Sequence, residues 1–559
     1  MRGQGGGFDS VIGNPPWEKP SLLQKEWFAG RNEEIASSDS KSERDNMVEE
    51  LKETNPSLYE KYQKADLRAD QLSKFLRESS RYALSGRGDL NTYPIFTELV
   101  TEYLLDSLGH AGLVVKTGIA TDYHTRNLFK HYIEDDRLVS LFDFENTEGI
   151  FTDVERNERF CLITITGEKI DAGSAKFSFH NQSVDESRNQ EKIYELTPNQ
   201  FSQINPNTKS CPTFKSKKTR DIVVKLYDRH PVLVNEEVDM NPWDIEYNRM
   251  YDMASDSEIF SDNKMESFQE RGYELTNGNI FEKEGERYLP LYEGKYISQF
   301  DHRFGTFEGV PKGNRFNRKA ETRKLTAEEK KVPTVETIPR YWVPEEEFNE
   351  RRENLGWNEG WIFAFRNVAR SHTDFRTSIG TITPFYPHGH SAPVLMFDSD
   401  QPARTAVQFT TLFTSFTFDF ALRQSIGGAN FTLYILKQLP MPDPQTVSKK
   451  AVNLQGDTEP LDEFLIQRGV DLLWTSYSLD SLAKPLKSRD QPITWDPEKR
   501  RQWRAEIEAA AAKLYGVNRD ELEYILNSFD ILQNQEKKKY GYYRSKEETL
   551  EKFDSIELR

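Results

Sequence analysis

A tetrapeptide near the start of the chain, Asn14-Pro15-Pro16-Trp17, contains the residue types needed to bind an amino group conjugated to an adenine ring. Such an amine is a poor nucleophile because its lone pair is delocalised into the ring. The side-chain oxygen of Asn14 and the main-chain carbonyl of Pro15 can accept its two N–H groups, which favours the pyramidal geometry that attacks a methyl group. The prolines hold these acceptors in place, and Trp17 offers a flat face on which an extruded base can stack. A turn that merely ends a strand is the simpler alternative.

The elements around this motif predict an α/β sheet. A short strand over residues 8 to 13 precedes the prolines, which end its pairing. Residues 21 to 85 are highly charged, with apolar residues at helical spacing, and predict a helical insertion. The elements predicted next are a helix with one apolar side from Tyr93 to Leu104, a connection through Gly109 and Gly112, a strand at 113–115, a helix near 125–134, and strands at 138–144 and 160–165. Strands that alternate with helices are typical of α/β proteins.

The tetrapeptide resembles the catalytic motif of the N6-adenine DNA methyltransferases that use S-adenosylmethionine. Segments 91–96, 114–122, 143–146 and 149–151 resemble the Eco57I-like branch of these enzymes, although Lys116 stands where members often have proline. That branch includes fused restriction–modification enzymes and the large adenine methylases of phage-defence systems such as DISARM and BREX. The tail segments 514–516 and 540–546 are also similar, so the resemblance extends over nearly the whole chain.

The resemblance implies roles for individual residues at the target base. The implied catalytic residues are Asn14, Pro15, Pro16, Trp17 and Phe151. Among them, Phe151 matches the aromatic residue that packs on the flipped base from the side opposite Trp17. The alternative for Phe151 is an ordinary core position beside the strand at 160–165. The chemistry requires no metal.

The resemblance also implies a cofactor site for S-adenosylmethionine that includes Asn14, Tyr93 and Phe96. The helical spacing of Tyr93 and Phe96 equally suits an ordinary core. In this family the cofactor binds at a sheet whose first strand ends in a glycine-containing loop. No such unit precedes Phe8. We therefore expect a separate polypeptide to carry the missing strands, and one side of residues 8 to 12 to be an unpaired edge.

Two basic segments predict contacts with double-stranded DNA. Residues 303–324 contain seven basic and two acidic residues in a chain whose net charge is −17. Residues 361–376 add further arginines, in the region where the family has its target-recognition domain. Basic loops suit phosphate contacts, and arginine commonly reads guanine in the major groove. The predicted contacts are Arg303, Lys312, Arg315, Arg318, Lys319, Arg366, Arg370 and Arg376.

The composition is that of a globular intracellular protein. The 559 residues, of which 36% are hydrophobic, leave room for roughly three to four domains. The two cysteines cannot form a disulfide framework or a four-thiolate zinc site, which fits a reducing cytoplasm. No apolar run is long enough to cross a membrane.

We therefore expect an α/β fold: a partial Rossmann-like, S-adenosylmethionine-dependent methyltransferase core with a helical insertion, a mixed α+β target-recognition domain and a helical C-terminal region. The predicted domains are 1–20 (catalytic strand and motif), 21–85 (insertion), 86–170 (remainder of the core), 205–445 (recognition, mostly β) and 446–559 (helical, with a helix from Asp496 to Gly516).

The expected function is site-specific adenine-N6 methylation of DNA in a restriction–modification or phage-defence system. A catalytically incomplete, DNA-binding specificity half is the main alternative. Cytosine-N4 methylation stays open. A protein-glutamine methyltransferase with the same tetrapeptide is disfavoured, because such enzymes do not need several hundred residues after the catalytic sheet.

Overall fold

The computed structural model describes residues 6–38, 40–152, 154–207, 211–316, 320–369, 374–426, 430–487 and 489–559. Within these ranges, no helix has both the length and the apolar composition required to cross a membrane. The chain forms two compact units, Met1–Asp221 and Ile222–Arg559. The second unit therefore includes residues 222–445 of the segment predicted for target recognition, together with the helical C-terminal segment.

A six-stranded mixed sheet organises the first unit. Its strands are β1 (Phe8–Gly13), β2 (Leu105–Lys116), β3 (Leu138–Glu145), β4 (Arg159–Thr166), β5 (Ala175–Asn181) and β6 (Tyr194–Leu196), in the spatial order β1-β2-β4-β3-β5-β6. β1 runs parallel to β2, and β3 runs parallel to β5, whereas β4 is antiparallel to both of its neighbours. Among the described residues β1 pairs with β2 alone, which confirms the predicted open edge. The predicted strands at 8–13, 138–144 and 160–165 are also confirmed.

β2 is much longer than the strand predicted at 113–115. Gly109 and Gly112, which were expected to precede the strand, lie inside it. A Cβ atom on Gly109 would lie 2.7 Å from the carbonyl oxygen of Phe8, and the pairing of β1 with β2 is irregular between Phe8 and Ser10. Glycine within a strand permits a bulge and the close approach of a neighbouring backbone. The predicted start of the strand was wrong, because these glycines lie within β2 and not before it.

The helices of the first unit confirm the helical insertion and the helix near 125–134. They are α1 (Gln24–Phe28), α2 (Glu33–Ser37), α3 (Lys41–Thr54), α4 (Pro56–Glu78), α5 (Thr92–Leu99), α6 (Gly118–Thr121), α7 (Arg126–Glu134) and α8 (Pro198–Ile204). The insertion has a small core of its own, formed by Phe28, Ile35, Val48, Leu51 and Tyr62. The helix predicted from Tyr93 to Leu104 was expected to have a single apolar side. That expectation was wrong, because Tyr93 is buried whereas Phe96 and Tyr103 are exposed.

The second unit combines several small sheets with helices. Its strands are β7 (Ile245–Asn248), β8 (Glu274–Thr276), β9 (Ile280–Lys283), β10 (Glu286–Pro290), β11 (Gly305–Thr306), β12 (Arg323–Lys324), β13 (Trp342–Pro344), β14 (Trp361–Phe365), β15 (Gly380–Pro384), β16 (Val394–Phe397), β17 (Ala451–Leu454), β18 (Asp457–Pro460) and β19 (Ile556–Leu558). They form four-stranded sheets β13-β10-β9-β8 and β15-β14-β16-β7, a three-stranded sheet β18-β17-β19 and the pair β11-β12.

Helices make up much of this unit. They are α9 (Lys217–Arg229), α10 (Ser257–Phe260), α11 (Met265–Glu270), α12 (Lys312–Arg315), α13 (Ala327–Lys331), α14 (Glu345–Leu355), α15 (Pro402–Phe413), α16 (Phe416–Ser425), α17 (Leu433–Lys437), α18 (Pro444–Ser448), α19 (Leu461–Leu473), α20 (Asp480–Ala483), α21 (Pro497–Leu514), α22 (Arg519–Asn527), α23 (Asp530–Tyr540) and α24 (Arg544–Ser555). The predicted C-terminal helix is confirmed as α21, which Asp496 caps by accepting hydrogen bonds from the N–H groups of Glu498 and Lys499.

Helices α15 and α16 contradict the expectation that residues 205–445 are mostly β. Their sequence is rich in phenylalanine and threonine, residues that favour strands. Both helices are nonetheless buried over most of their length, and a helix that is apolar on nearly all sides is stable in such a position. Burial has outweighed the local preference for strand.

Candidate active site

The Asn14–Trp17 motif leaves β1 at the C-terminal end of the strand. Asn14 is exposed, and its side-chain amide makes no hydrogen bond to another described residue; the same is true of the Pro15 carbonyl. Trp17 is half-buried and donates from Nε1 to the carbonyl oxygen of Val114 in β2, at 3.3 Å. Two hydrogen-bond acceptors therefore lie, without internal partners, in the same turn as an indole ring that β2 holds in place.

Thr92, the first residue of α5, holds the backbone that follows the prolines. Its hydroxyl donates to the carbonyl oxygen of Pro16 at 2.6 Å and accepts from the N–H of Glu18 at 3.0 Å. The N–H of Thr92 donates to the carbonyl oxygen of Glu18 at 2.9 Å. The start of α5 thereby fixes the backbone on the C-terminal side of the motif. The sequence marked segment 91–96 only through its resemblance, and did not reveal this positioning role.

Phe151, far from the motif in sequence, lies beside Trp17 as the resemblance implies. The two ring centroids are 6.3 Å apart, and the ring planes are nearly perpendicular, at 88°. Phe160 completes the cluster: its ring lies 6.3 Å from that of Trp17 in a stacked arrangement and 4.8 Å from that of Phe151. A base between two parallel rings needs roughly 7 Å, twice the ordinary contact distance. With Phe151 in this edge contact, the space between its ring and that of Trp17 is narrower than such an arrangement needs.

Asn146 fixes the backbone of the loop that carries Phe151. This side chain is fully buried; its Oδ1 accepts from the N–H of Phe151, and its Nδ2 donates to the carbonyl oxygens of Phe151 and Val154, each at 2.9 Å. Gly149 has a φ of +74°, a conformation that glycine adopts without strain. The hydrogen bonds of Asn146 thus hold the backbone of Phe151, whereas its ring is held only by packing against Trp17 and Phe160.

A buried carboxylate, Asp143, joins strand ends at the same edge of the sheet. It accepts hydrogen bonds from the Thr117 hydroxyl at 2.6 Å, from the Arg159 guanidinium at 2.5 Å and from the N–H of His180 at 2.9 Å. These partners come from the end of β2, the beginning of the antiparallel β4 and the end of β5. The network braces the edge at which the motif lies. Asp143, like Asn146, belongs to segment 143–146, to whose residues the sequence analysis gave no individual roles.

The residues predicted to contact S-adenosylmethionine differ in accessibility. Tyr93 is buried, and burial raises the pKa of its hydroxyl far above the usual value. A Cβ atom at Gly118 would lie 2.9 Å from that hydroxyl, so the ring is tightly enclosed. Phe96, in contrast, is 40% exposed, and Asn14 is also exposed. The described residues therefore fit one wall of a cofactor pocket, to which Tyr93 contributes only as support.

Arg303 and Arg376, two of the predicted DNA contacts, are buried inside the second unit. Arg303 donates to the carbonyl oxygens of Lys330, Val335 and Thr475 at 2.7–3.0 Å. Arg376 binds the carboxylates of Asp419 at 2.8 Å and Glu508 at 3.2 Å. Because their donors are used inside the unit, this placement argues against contact with DNA. Both arginines act as structural cross-links.

The other predicted DNA contacts fall into three groups. Arg315 and Arg366 are half-buried: Arg315 pairs with Glu266 at 3.0 Å, and Arg366 donates twice to the carbonyl oxygen of Ile297. Lys312 is exposed at the start of α12. The remaining three, Arg318, Lys319 and Arg370, lie outside the described residues.

No known protein family matches the chain, and no curated protein is similar to it. Among solved structures, it is similar to the type IIL restriction–modification enzyme MmeI in complex with DNA, with 10% sequence identity, a TM-score of 0.39 and coverage of 93% of this chain and 57% of that one. It is also similar to the ATP-dependent type ISP enzyme LlaBIII bound to DNA (9% identity, TM-score 0.33, 83% and 29% coverage) and to the type IIG restriction endonuclease BpuSI (11%, 0.27, 80% and 52%). The chain thus spans less than two thirds of the length of each.

Proposed function

We propose that this protein supplies the target-base site and the DNA-recognition region of an adenine-N6 DNA methyltransferase of a restriction–modification or phage-defence system. The observation that carries the proposal is the pair of unsatisfied acceptors, Asn14 Oδ1 and the Pro15 carbonyl, beside the anchored Trp17 ring. Asparagines with structural roles in this chain bond to nearby backbone, as Asn32 and Asn55 do at the starts of α2 and α4. Asn14 makes no such bond.

The geometry suggests how these residues act on a flipped adenine. Trp17, held by its bond to Val114, stacks on one face of the base, and the Phe151 ring turns to cover the other face. Asn14 and Pro15 accept the two N–H groups of the exocyclic amine and favour its pyramidal, nucleophilic form. When bound, S-adenosylmethionine supplies an electrophilic methyl group, and Asn14 and Phe96 are the accessible residues proposed for its site.

The open edge of β1 is the proposed attachment point for the strands that complete the cofactor site. Phe8 is 62% exposed and Ile12 is 89% exposed, although both are apolar residues of a sheet strand. An unpaired, apolar edge is a template for another strand. In doubly wound sheets the ligand lies at the C-terminal ends of neighbouring strands where the strand order reverses. A strand beside β1 would therefore bring a cofactor loop next to Asn14.

The test of this function is methyl transfer by an Asn14→Ala variant. We expect the rate of tritiated methyl transfer to mixed-sequence DNA, with any partner strands supplied, to fall about 100- to 1,000-fold, because a bond that strengthens in the transition state is lost. DNA affinity should change only a few-fold. Asn32→Ala, which removes a helix cap in the insertion, is the matched control and should transfer normally.

Two other outcomes discriminate between functions. If Asn14→Ala transfers methyl groups as fast as the wild-type protein, the assigned chemistry is wrong. If the wild-type protein binds DNA but transfers no methyl group even with partner strands present, the alternative of a DNA-binding specificity half is favoured.

A further inference from the structure

The loop that precedes α5 in the first unit carries an exposed arginine, Arg87. Its side chain makes no hydrogen bond, ion pair or ring contact to another described residue. Other arginines of this unit have internal partners, as Arg137 has in Glu102 and Arg159 in Asp143. The five N–H donors of Arg87 are thus directed to solvent, where they can meet an external acceptor. Surface arginines are often only solvated, so the structure of the loop decides between the two interpretations.

The backbone on the N-terminal side of Arg87 is fixed by a buried carboxylate and by a close approach of two chain segments. Glu98 of α5 is 3% exposed and accepts a hydrogen bond from the N–H of Ser85 at 2.8 Å. The N–H of Gly86 donates to the carbonyl oxygen of Tyr82 at 2.8 Å, and a Cβ atom at Gly86 would overlap that oxygen. Glycine is therefore the residue that fits directly before Arg87.

The second half of the loop is equally constrained. Gly88 has a φ of +63°, and a Cβ atom there would overlap the imidazole ring of His124. The carbonyl oxygen of Gly88 accepts a hydrogen bond from the Arg77 guanidinium at 2.8 Å. The carboxylate of Asp89 pairs with the ammonium group of Lys19 at 2.6 Å. The loop is thus held on both sides of its tip, and its carboxylate already has a cationic partner.

These contacts place the loop at the edge of the sheet where the Asn14–Trp17 motif lies. Lys19, the partner of Asp89, follows the motif as the chain leaves the C-terminal end of β1. His124, which packs on Gly88, follows α6, where the chain leaves the C-terminal end of β2. The loop therefore contacts the segments that leave two neighbouring parallel strands, and these segments border the proposed base site.

We propose that Arg87 binds a phosphodiester group of DNA next to the flipped adenine. The inference rests on the proposed function, which supplies DNA as the ligand. A base leaves the duplex by rotation about its backbone, so the flanking phosphates need partners in their new position. The planar guanidinium group matches two phosphate oxygens at once. Because the loop is already rigid, little conformational entropy is lost when the contact forms. The carboxylate of S-adenosylmethionine is the other anion expected at this edge, but a bound cofactor is largely enclosed, whereas Arg87 is exposed.

The test is an anisotropy titration of the full chain with a labelled duplex in which one adenine lies opposite an abasic site, where flipping costs least. We expect Arg87→Ala to weaken binding about 3- to 10-fold and to reduce the log–log salt slope by about 1, because one phosphate contact is lost. Arg87→Lys, which keeps the charge, should keep the slope. The matched control is Lys169→Ala, which removes an exposed cation beside the start of β2, at the opposite edge of the sheet, and should bind normally.

Neutral methylphosphonate linkages identify the phosphate that is bound. The wild-type protein should lose about the same factor in affinity when one of the two phosphates that flank the adenine is replaced. Arg87→Ala should lose nothing further from that replacement, because both changes remove the same contact. Losses that add, at both flanking phosphates, would overturn the proposal. So would an Arg87→Ala variant that keeps its melting temperature, its affinity for the duplex and its salt slope, even if its binding of S-adenosylmethionine were weakened.

The titration does not depend on methyl transfer, so failure of this inference and failure of the proposed chemistry are distinguishable. Asn14→Ala should show the wild-type salt slope, because Asn14 contacts the amine rather than a phosphate. If no methyl group is transferred but the losses at Arg87 occur as expected, the phosphate contact is supported and the assigned chemistry is wrong.

Discussion

Phe151 illustrates how one side chain can have a fixed backbone and a movable ring. Asn146 binds the main chain of Phe151 on both sides, but the ring meets Trp17 only edge to face. Rotation of this single ring would convert the aromatic cluster into two parallel faces. The proposed base site therefore calls for a local rearrangement rather than closure of a whole domain.

Replacement of Phe151 by alanine should weaken base flipping. The expected loss of stacking is about 1–3 kcal/mol, which a fluorescent adenine analogue at the target position would report as a smaller increase in emission. Ile150→Ala, at a neighbouring residue that is 38% exposed, is the control for changes in the loop. Unchanged emission together with a lower melting temperature would show instead that Phe151 belongs to the core.

For single residues, the sequence predicted which residue types lie together better than it predicted whether a side chain faces solvent or the interior. The proximity of Trp17 and Phe151 followed from the motif and its resemblance, because both residue types are needed on opposite faces of one base. The arginines were different: Arg303 and Arg376 contribute to basic segments, but their guanidinium groups satisfy backbone and carboxylate partners inside the unit. A count of charges cannot distinguish a phosphate contact from an internal cross-link.

At the element scale, α5 and β1 together determine the geometry of the motif. Thr92 joins α5 to the segment Pro16–Glu18 through its hydroxyl and its N–H, so the position of Pro16 depends on the first turn of a helix that is distant in sequence. This connection explains why segment 91–96 accompanies the tetrapeptide. Thr92 acts through the motif and is a positioning residue.

Thr92→Val should slow methyl transfer without abolishing DNA binding. The substitution keeps the shape of the side chain but removes both hydroxyl bonds, at a cost of about 1 kcal/mol each. We expect kcat to fall while KM for DNA stays nearly constant, because the acceptors lose their alignment and the DNA contacts are unchanged. Thr92→Ser, which retains the hydroxyl, should restore kcat. If Thr92→Val lowered the melting temperature but left kcat unchanged, the role of Thr92 would be purely structural.

Elements with a clear local pattern were predictable, and those determined by their neighbours were not. β3, β4 and α21 follow from apolar runs and from the cap at Asp496. The length of β2 depends on the approach of β1 to Gly109, which the sequence does not display. α15 and α16 are helical because they are buried, although their residues favour strands.

At the scale of the whole molecule, the proposal is that the site uses more strands than β1 to β6. Of the residues expected to hold S-adenosylmethionine, Tyr93 is enclosed, and Asn14 and Phe96 offer only one wall. The sheet ends at β1 with an exposed apolar edge. Both features fit the proposed explanation that a further strand beside β1 completes both the sheet and the pocket.

This explanation predicts that the chain alone binds S-adenosylmethionine negligibly in a calorimetric titration, because one wall buries too little of the ligand. A polypeptide that carries the cofactor strands should restore binding, and Ile12→Lys should prevent the restoration, since a charged residue at a strand edge opposes further pairing. Ile12 is 89% exposed, so the variant itself should remain folded. Leu67→Lys, at an apolar residue of α4 that is 57% exposed, is the matched control. Micromolar binding by the isolated chain would contradict the prediction and would place the cofactor in the insertion or in the second unit.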